Sequence, residues 1–182
     1  MLKKIAFLLV AAFLFAMPAL ADTTITLGPS YLITSKTPVT MNIPDRMGLA
    51  IGLDFGVSKH FSISPYLYTN WNQIKSYQTG AKAGYNIFGV DLNLRYTINP
   101  QDKINFWATG GASYIRSVMG STSDITNSLA PNIGLGFNYP LSKNFGFTLE
   151  GKYRYLPKSA APYGTMIQLD NYSAFAGLSF KF

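Results

Sequence analysis

Apolar and polar residues alternate one by one along most of the chain beyond residue 22. In the clearest run, Met47, Leu49, Ile51, Leu53, Phe55 and Val57 share one parity. Gly48, Ala50, Gly52, Asp54, Gly56 and Ser58 share the other. A period of two over that length marks a strand whose two faces meet different surroundings. The run 145–155 repeats it, with Phe145, Phe147, Leu149, Tyr153 and Tyr155 over Gly146, Thr148, Glu150, Lys152 and Arg154. The final stretch sets Tyr172, Ala174, Ala176, Leu178, Phe180 and Phe182 against Ser173, Phe175, Gly177, Ser179 and Lys181.

The same alternation predicts strands at 23–35, 61–72, 79–98, 104–117 and 129–139, about eight in all. Within 79–98 the parity flips. Ala81, Ala83, Tyr85 and Ile87 read outward before Phe88–Gly89, and Val90, Leu92, Leu94, Tyr96 and Ile98 after it. A β-bulge with Gly89 as its cue accounts for the flip, and a hairpin turn there would change the strand count. Pro29 and Pro65 fall on the apolar parity, an awkward place because proline cannot donate to a ladder.

Connections near 59, 101 and 142 are short, whereas those near 41, 76, 123 and 163 are mostly longer. The polar stretches 36–46, 118–128 and 156–170 read as the principal loops.

Charge then distinguishes the two faces. Asp54, Lys82, Asp91, Arg95, Glu150, Lys152, Arg154 and Lys181 all lie opposite the apolar parity. Arg116 breaks the rule at a strand end, where a long side chain can reach an interface. A face this free of charge either meets lipid or is covered by another sheet. A soluble ligand-binding barrel needs the reverse, apolar within and polar without. A two-sheet sandwich remains the alternative. Against it stand aromatics near strand ends: Tyr31, Trp71, Tyr114, Tyr155 and Tyr172 at one rim, with Phe61, Tyr96, Tyr139, Phe145 and Phe182 at the other.

The 182 residues suffice for one domain, and a mean hydropathy of +0.13 is too low for a bundle of membrane helices. Aromatics reach 15% and charges only 13%, which favours many short strands. No cysteine is present, so a disulfide framework and a thiolate site are both excluded. The formal charge of +7 carries no Lys/Arg run beyond the N-terminus and gives no sign of nucleic-acid binding; acidic lipid headgroups fit it as well. Residues 1–21 read as a cleaved signal peptide: Lys3 and Lys4, an apolar core from Ile5 to Phe15, then Ala19-Leu20-Ala21 as a small-x-small motif with cleavage before Asp22. Residues 22–182 form the mature domain.

The terminal strand resembles the C-terminal strand of bacterial outer-membrane β-barrels. In that family a Gly, an aromatic or apolar residue three positions on and a terminal aromatic form the assembly signal, here Gly177, Phe180 and Phe182. Phe175 departs from the polar residue usual two places before the Gly. Over the whole mature chain the resemblance is to small barrels of the opacity-protein, OmpX and OmpA-barrel type. It implies an all-β, closed antiparallel up-and-down transmembrane barrel of about eight strands in the outer membrane, both termini periplasmic. It further implies contact with outer-membrane lipid and lipopolysaccharide, delivery by periplasmic chaperones and insertion by the barrel-assembly machinery. An envelope-integrity or adhesive role acting through the loops follows from the same resemblance.

An eight-stranded barrel is just wide enough for side chains to fill it. Asp54, Lys82, Asp91, Arg95, Glu150, Lys152 and Arg154 are therefore expected to form a lumen charge network. Catalysis is not expected. His60 is the lone histidine, on a short turn with no carboxylate nearby in sequence, and neither a cofactor nor a metal site is indicated. A lipid A-modifying enzyme and a narrow passive pore remain the alternatives.

Overall fold

The computed structural model describes residues 23–34, 41–42, 46–76, 82–100, 102–119, 124–155, 159–160, 166–167 and 171–182. The predicted signal peptide lies outside them. Eight long strands carry the fold. They are β1 (Thr23–Thr34), β2 (Arg46–Gly56), β3 (Phe61–Ser76), β4 (Lys82–Thr97), β5 (Asn105–Met119), β6 (Asp124–Pro140), β7 (Phe145–Arg154) and β8 (Asn171–Lys181). Each pairs antiparallel with its neighbours in sequence, and β1 pairs with β8. That last pairing closes the sheet into a cylinder with no free edge.

Alternation builds the wall. On β7 every second side chain from Gly146 to Arg154 is buried, and those between them are exposed or half-buried. Buried positions on all strands line the interior, and the exposed positions are the large apolar ones: Leu49, Leu67, Leu92, Leu94, Ile133 and Leu135 among them. Phe55 holds the outward parity yet is buried.

The bulge expected at Phe88–Gly89 does not exist. The ladder between β3 and β4 runs without a break from Phe61↔Tyr96 to Lys75↔Lys82, and the ladder between β4 and β5 is equally regular. Ile87 therefore points inward and is buried. Gly89 serves a different purpose. A Cβ built there would sit 1.9 Å from the ring of Tyr68, its partner across the ladder. Gly89 leaves room for an aromatic inside the lumen.

Strands β3, β5 and β6 also outrun their sequence boundaries. Pairing continues to Lys75↔Lys82 in one hairpin and to Met119↔Asp124 in the next, so much of the predicted loop 118–128 is strand. Beyond the membrane both faces meet water, and a ladder there needs no apolar parity to show it. Of the loop 36–46, Met41–Asn42 pairs with Lys75 and Ser76; of the loop 156–170, Ser159–Ala160 pairs with Met166–Ile167.

The prolines sit where the ladder is interrupted. The β1–β8 register passes from Leu27↔Leu178 to Ser30↔Phe175, around Pro29. The β2–β3 register passes from Gly52↔Tyr66 to Phe55↔Ile63, around Pro65. A missing N–H costs least at such a gap.

Candidate functional site

The inward faces of the eight strands meet along the axis in three layers. At the end of the short turns lies a vestibule of about 400 Å³, lined by Thr24, Ser62, Thr97, Asn138 and Ser179 and by the turn residues Lys59 and His60. The middle is filled, with a free volume of about 10 Å³ among Asp54, Tyr66, Arg95, Glu150, Lys152 and Phe175. That is about the room of a single water. Toward the loop end the packed cluster turns apolar, with Leu32, Ile87, Ile115 and Ala130 beside Tyr66, Tyr68 and Phe175.

Ion pairs close the middle. Arg95 Nη1 lies 2.6 Å from Asp54 Oδ2, and the hydroxyl of Ser64 donates to Asp54 Oδ1. The Arg95 guanidinium also stacks 4.2 Å from the centre of the Trp107 ring. A second group is more deeply buried. Asp91 accepts from Arg154 Nη2 at 2.6 Å, from Arg154 Nε at 3.3 Å and from Lys152 Nζ at 3.0 Å. Lys152 reaches Glu150 Oε1 at 3.3 Å, and Arg154 Nη1 donates to Ser173 at 2.6 Å. Tyr66 lies under the Lys152 ammonium and Tyr68 under the Arg154 guanidinium, at 4.4 and 4.3 Å. Among the described residues, three acids and three bases thus balance one another in the middle of the lumen. Buried charges need such partners, because the desolvation of each costs several kcal/mol.

Six of the seven charges singled out in the sequence, Asp54, Asp91, Arg95, Glu150, Lys152 and Arg154, fall into these two groups. The seventh, Lys82, is at the far end of the β3–β4 ladder, opposite Lys75. Its side chain is outside the described residues, and the parity flip that placed it inward is gone. Sequence reasoning passed over Leu32 and Ile115, whose parity already set them inward, and it sent Ile87 outward.

Space for the aromatics comes from glycine. Trp107 faces Gly136 across the ladder, where a Cβ would approach its ring to 2.7 Å. Phe175, the departure from the usual C-terminal pattern, is buried in the lumen edge-on to Tyr66, 5.4 Å between ring centres. Gly177 faces inward beside Phe175. Phe180 is exposed on the outer face against Phe145, ring centres 5.0 Å apart, and the backbone N–H of Phe182 donates to Thr23 at 2.9 Å. His60 is exposed on its turn. Its Nδ1–H donates to the Thr97 carbonyl at 2.8 Å, and its ring stacks on Tyr96. No cluster of metal-binding side chains occurs among the described residues.

A closed eight-stranded antiparallel cylinder, apolar outside and ion-paired within, is a transmembrane β-barrel. The chain belongs to the family described as "Outer membrane protein beta-barrel domain", which it matches over residues 7–182, and the bacterial outer membrane is its setting. Among solved structures it is similar to the outer membrane protein OprG from Pseudomonas aeruginosa. The two share 14% identity and a TM-score of 0.71 over 89% of this chain and 96% of that one. It is also similar to Neisserial surface protein A, at 13% identity and a TM-score of 0.65 over 88% of this chain and 96% of that one. A third is Ail, the attachment invasion locus protein of Yersinia pestis, in complex with the heparin analogue sucrose octasulfate. There the identity is 11% and the TM-score 0.60, over 88% and 98% of the two chains. At these identities the likeness is one of fold. No curated protein matches the sequence significantly.

Proposed function

We propose that this protein is a non-catalytic barrel that strengthens the envelope and meets the exterior through its loops. The observation that carries this reading is the filled middle of the lumen, with free volume of about 10 Å³ beside two buried ion-pair groups. A barrel plugged this way holds its shape and passes no aqueous stream. In this reading residues 1–21 are removed before Asp22 and both termini face the periplasm. The barrel-assembly machinery engages Gly177, Phe180 and Phe182, after periplasmic chaperones have delivered the chain. The segments 36–46, 118–128 and 156–170 then stand outside, and any adhesive partner binds there.

Three measurements test this. Deleting the gene should sensitise cells to detergent and bile salts, and the boiled and unboiled protein should migrate differently on SDS gels. In planar bilayers the purified barrel should give no stable conductance steps. Steps that vanish when the middle of the lumen is altered would move the assignment to a narrow pore.

A further inference from the structure

Arg116 is the one charged side chain on the outward parity of the eight strands, among the described side chains. It is exposed and forms no ion pair among the described residues. Its height on the wall is telling. Phe106 stands at the turn-end rim of the same strand, ten residues below. At about 3.3 Å per residue and a tilt of about 40°, that separation rises roughly 25 Å, the height of the apolar band of an outer-membrane barrel. Arg116 therefore sits where acyl chains end and headgroups begin, on the loop side.

Its neighbours extend the feature both ways. Along the ladder rows Arg116 lies between Phe88 and Asn127, and the hydroxyl of Tyr114 donates to Asn127 Oδ1 at 2.9 Å. That bond uses the amide oxygen and leaves the Asn127 NH₂ to donate outward beside the guanidinium. Directly below, a groove of about 490 Å³ runs down the outer wall among Leu49, Ile51, Leu67, Val90 and Tyr114. Its lining is almost wholly apolar. A cation and an amide donor at the head of a charge-free groove match one kind of molecule, an amphiphile with an anionic head and a long hydrocarbon tail.

We propose that this face is a binding site for one phosphorylated glycolipid of the outer leaflet, of the lipid A class. A phosphate accepts from Arg116 and Asn127, and one acyl chain lies in the groove between β2 and β5. Arginine suits the task, since its planar fork meets two phosphate oxygens at once. The inference rests on the loops facing outward, as set out under the proposed function.

Native mass spectrometry of the folded, mature barrel in detergent micelles, with bisphosphorylated lipid A added, tests it. Wild type should retain one lipid A. Removing the phosphates from the lipid should lower retention about tenfold, the loss expected for a charge-assisted contact, and so should Arg116→Gln. Arg116→Lys should fall between, and Val90→Trp, which fills the groove, should also lose the lipid. Lys103→Gln, at the opposite rim, should change nothing. Equal retention by wild type and Arg116→Gln overturns the proposal, as does equal retention of dephosphorylated lipid, which needs no variant at all. A dimer in place of bound lipid assigns the groove to a second copy and overturns it too. Labelling of Lys59→Cys and Asp124→Cys with an impermeant maleimide on intact cells checks the orientation separately. Label at residue 59 alone means that the loop end faces inward, whatever the micelle experiment returns.

Discussion

Arg154 and Asp91 meet across the lumen, Nη2 to Oδ2 at 2.6 Å, from strands β7 and β4 that share no ladder. Neither side chain is more than 1% exposed. The contact ties opposite walls of the cylinder together, which no backbone ladder can do.

Breaking that contact from one side should be costly. Arg154→Met leaves Asp91 with Lys152 alone, and the loss should be about 3–5 kcal/mol in urea unfolding from micelles. The double variant Asp91→Leu with Arg154→Met restores charge balance, since Asp54–Arg95 and Glu150–Lys152 remain paired. It should recover most of the stability. A double variant as unstable as the sum of the singles would show that the two side chains are not coupled, and would contradict the role given to their contact.

Glu150 should matter less than Asp91. Its one ion-pair partner among the described residues, Lys152, keeps a second carboxylate at 3.0 Å when Glu150 is removed. Glu150→Gln is expected to lower the melting temperature by less than Asp91→Asn. The reverse order in a thermal melt would reverse the ranking of the two acids.

The outer face and the vestibule should respond differently to one substitution. Leu92 is exposed on the lipid face, and Leu92→Arg should cost about 2–4 kcal/mol near the middle of the membrane. Thr24 lines the vestibule and pairs in register with Asp54, so an arginine there has both room and an acid within reach. Thr24→Arg should cost clearly less. Equal losses in refolding titrations would contradict the assignment of faces.

Glycines separate into two kinds. A Cβ at Gly89 meets the Tyr68 ring at 1.9 Å, whereas one at Gly151, on the outer face, meets nothing within 4 Å. Gly89→Ala should therefore destabilise by about 1–3 kcal/mol through overpacking. Gly151→Ala should be neutral or slightly stabilising by lowering the entropy of the unfolded chain. Chemical denaturation of the two variants side by side decides it.

Alternation determined the strands and their two faces, while the aromatic rims and the resemblance of the terminal strand pointed to the cylinder. Wherever one side of a strand meets lipid and the other meets a polar interior, the sequence must alternate, and so strand number, facing and the inward charges other than Lys82 were legible in it. Asp54, Arg95, Glu150, Lys152 and Arg154 could be placed inward from parity, as could Trp107 with the need for glycine beside it. Two kinds of information were not local. A glycine next to a parity break reads as a bulge in one strand, and only the neighbouring strand reveals that Gly89 clears space for Tyr68. Hairpins that rise into water carry no apolar signature, so their extra rungs emerged only from pairing. Which acid meets which base was likewise decided in three dimensions. Asp91 and Arg154 lie 63 residues apart on walls that face each other only once the sheet has closed.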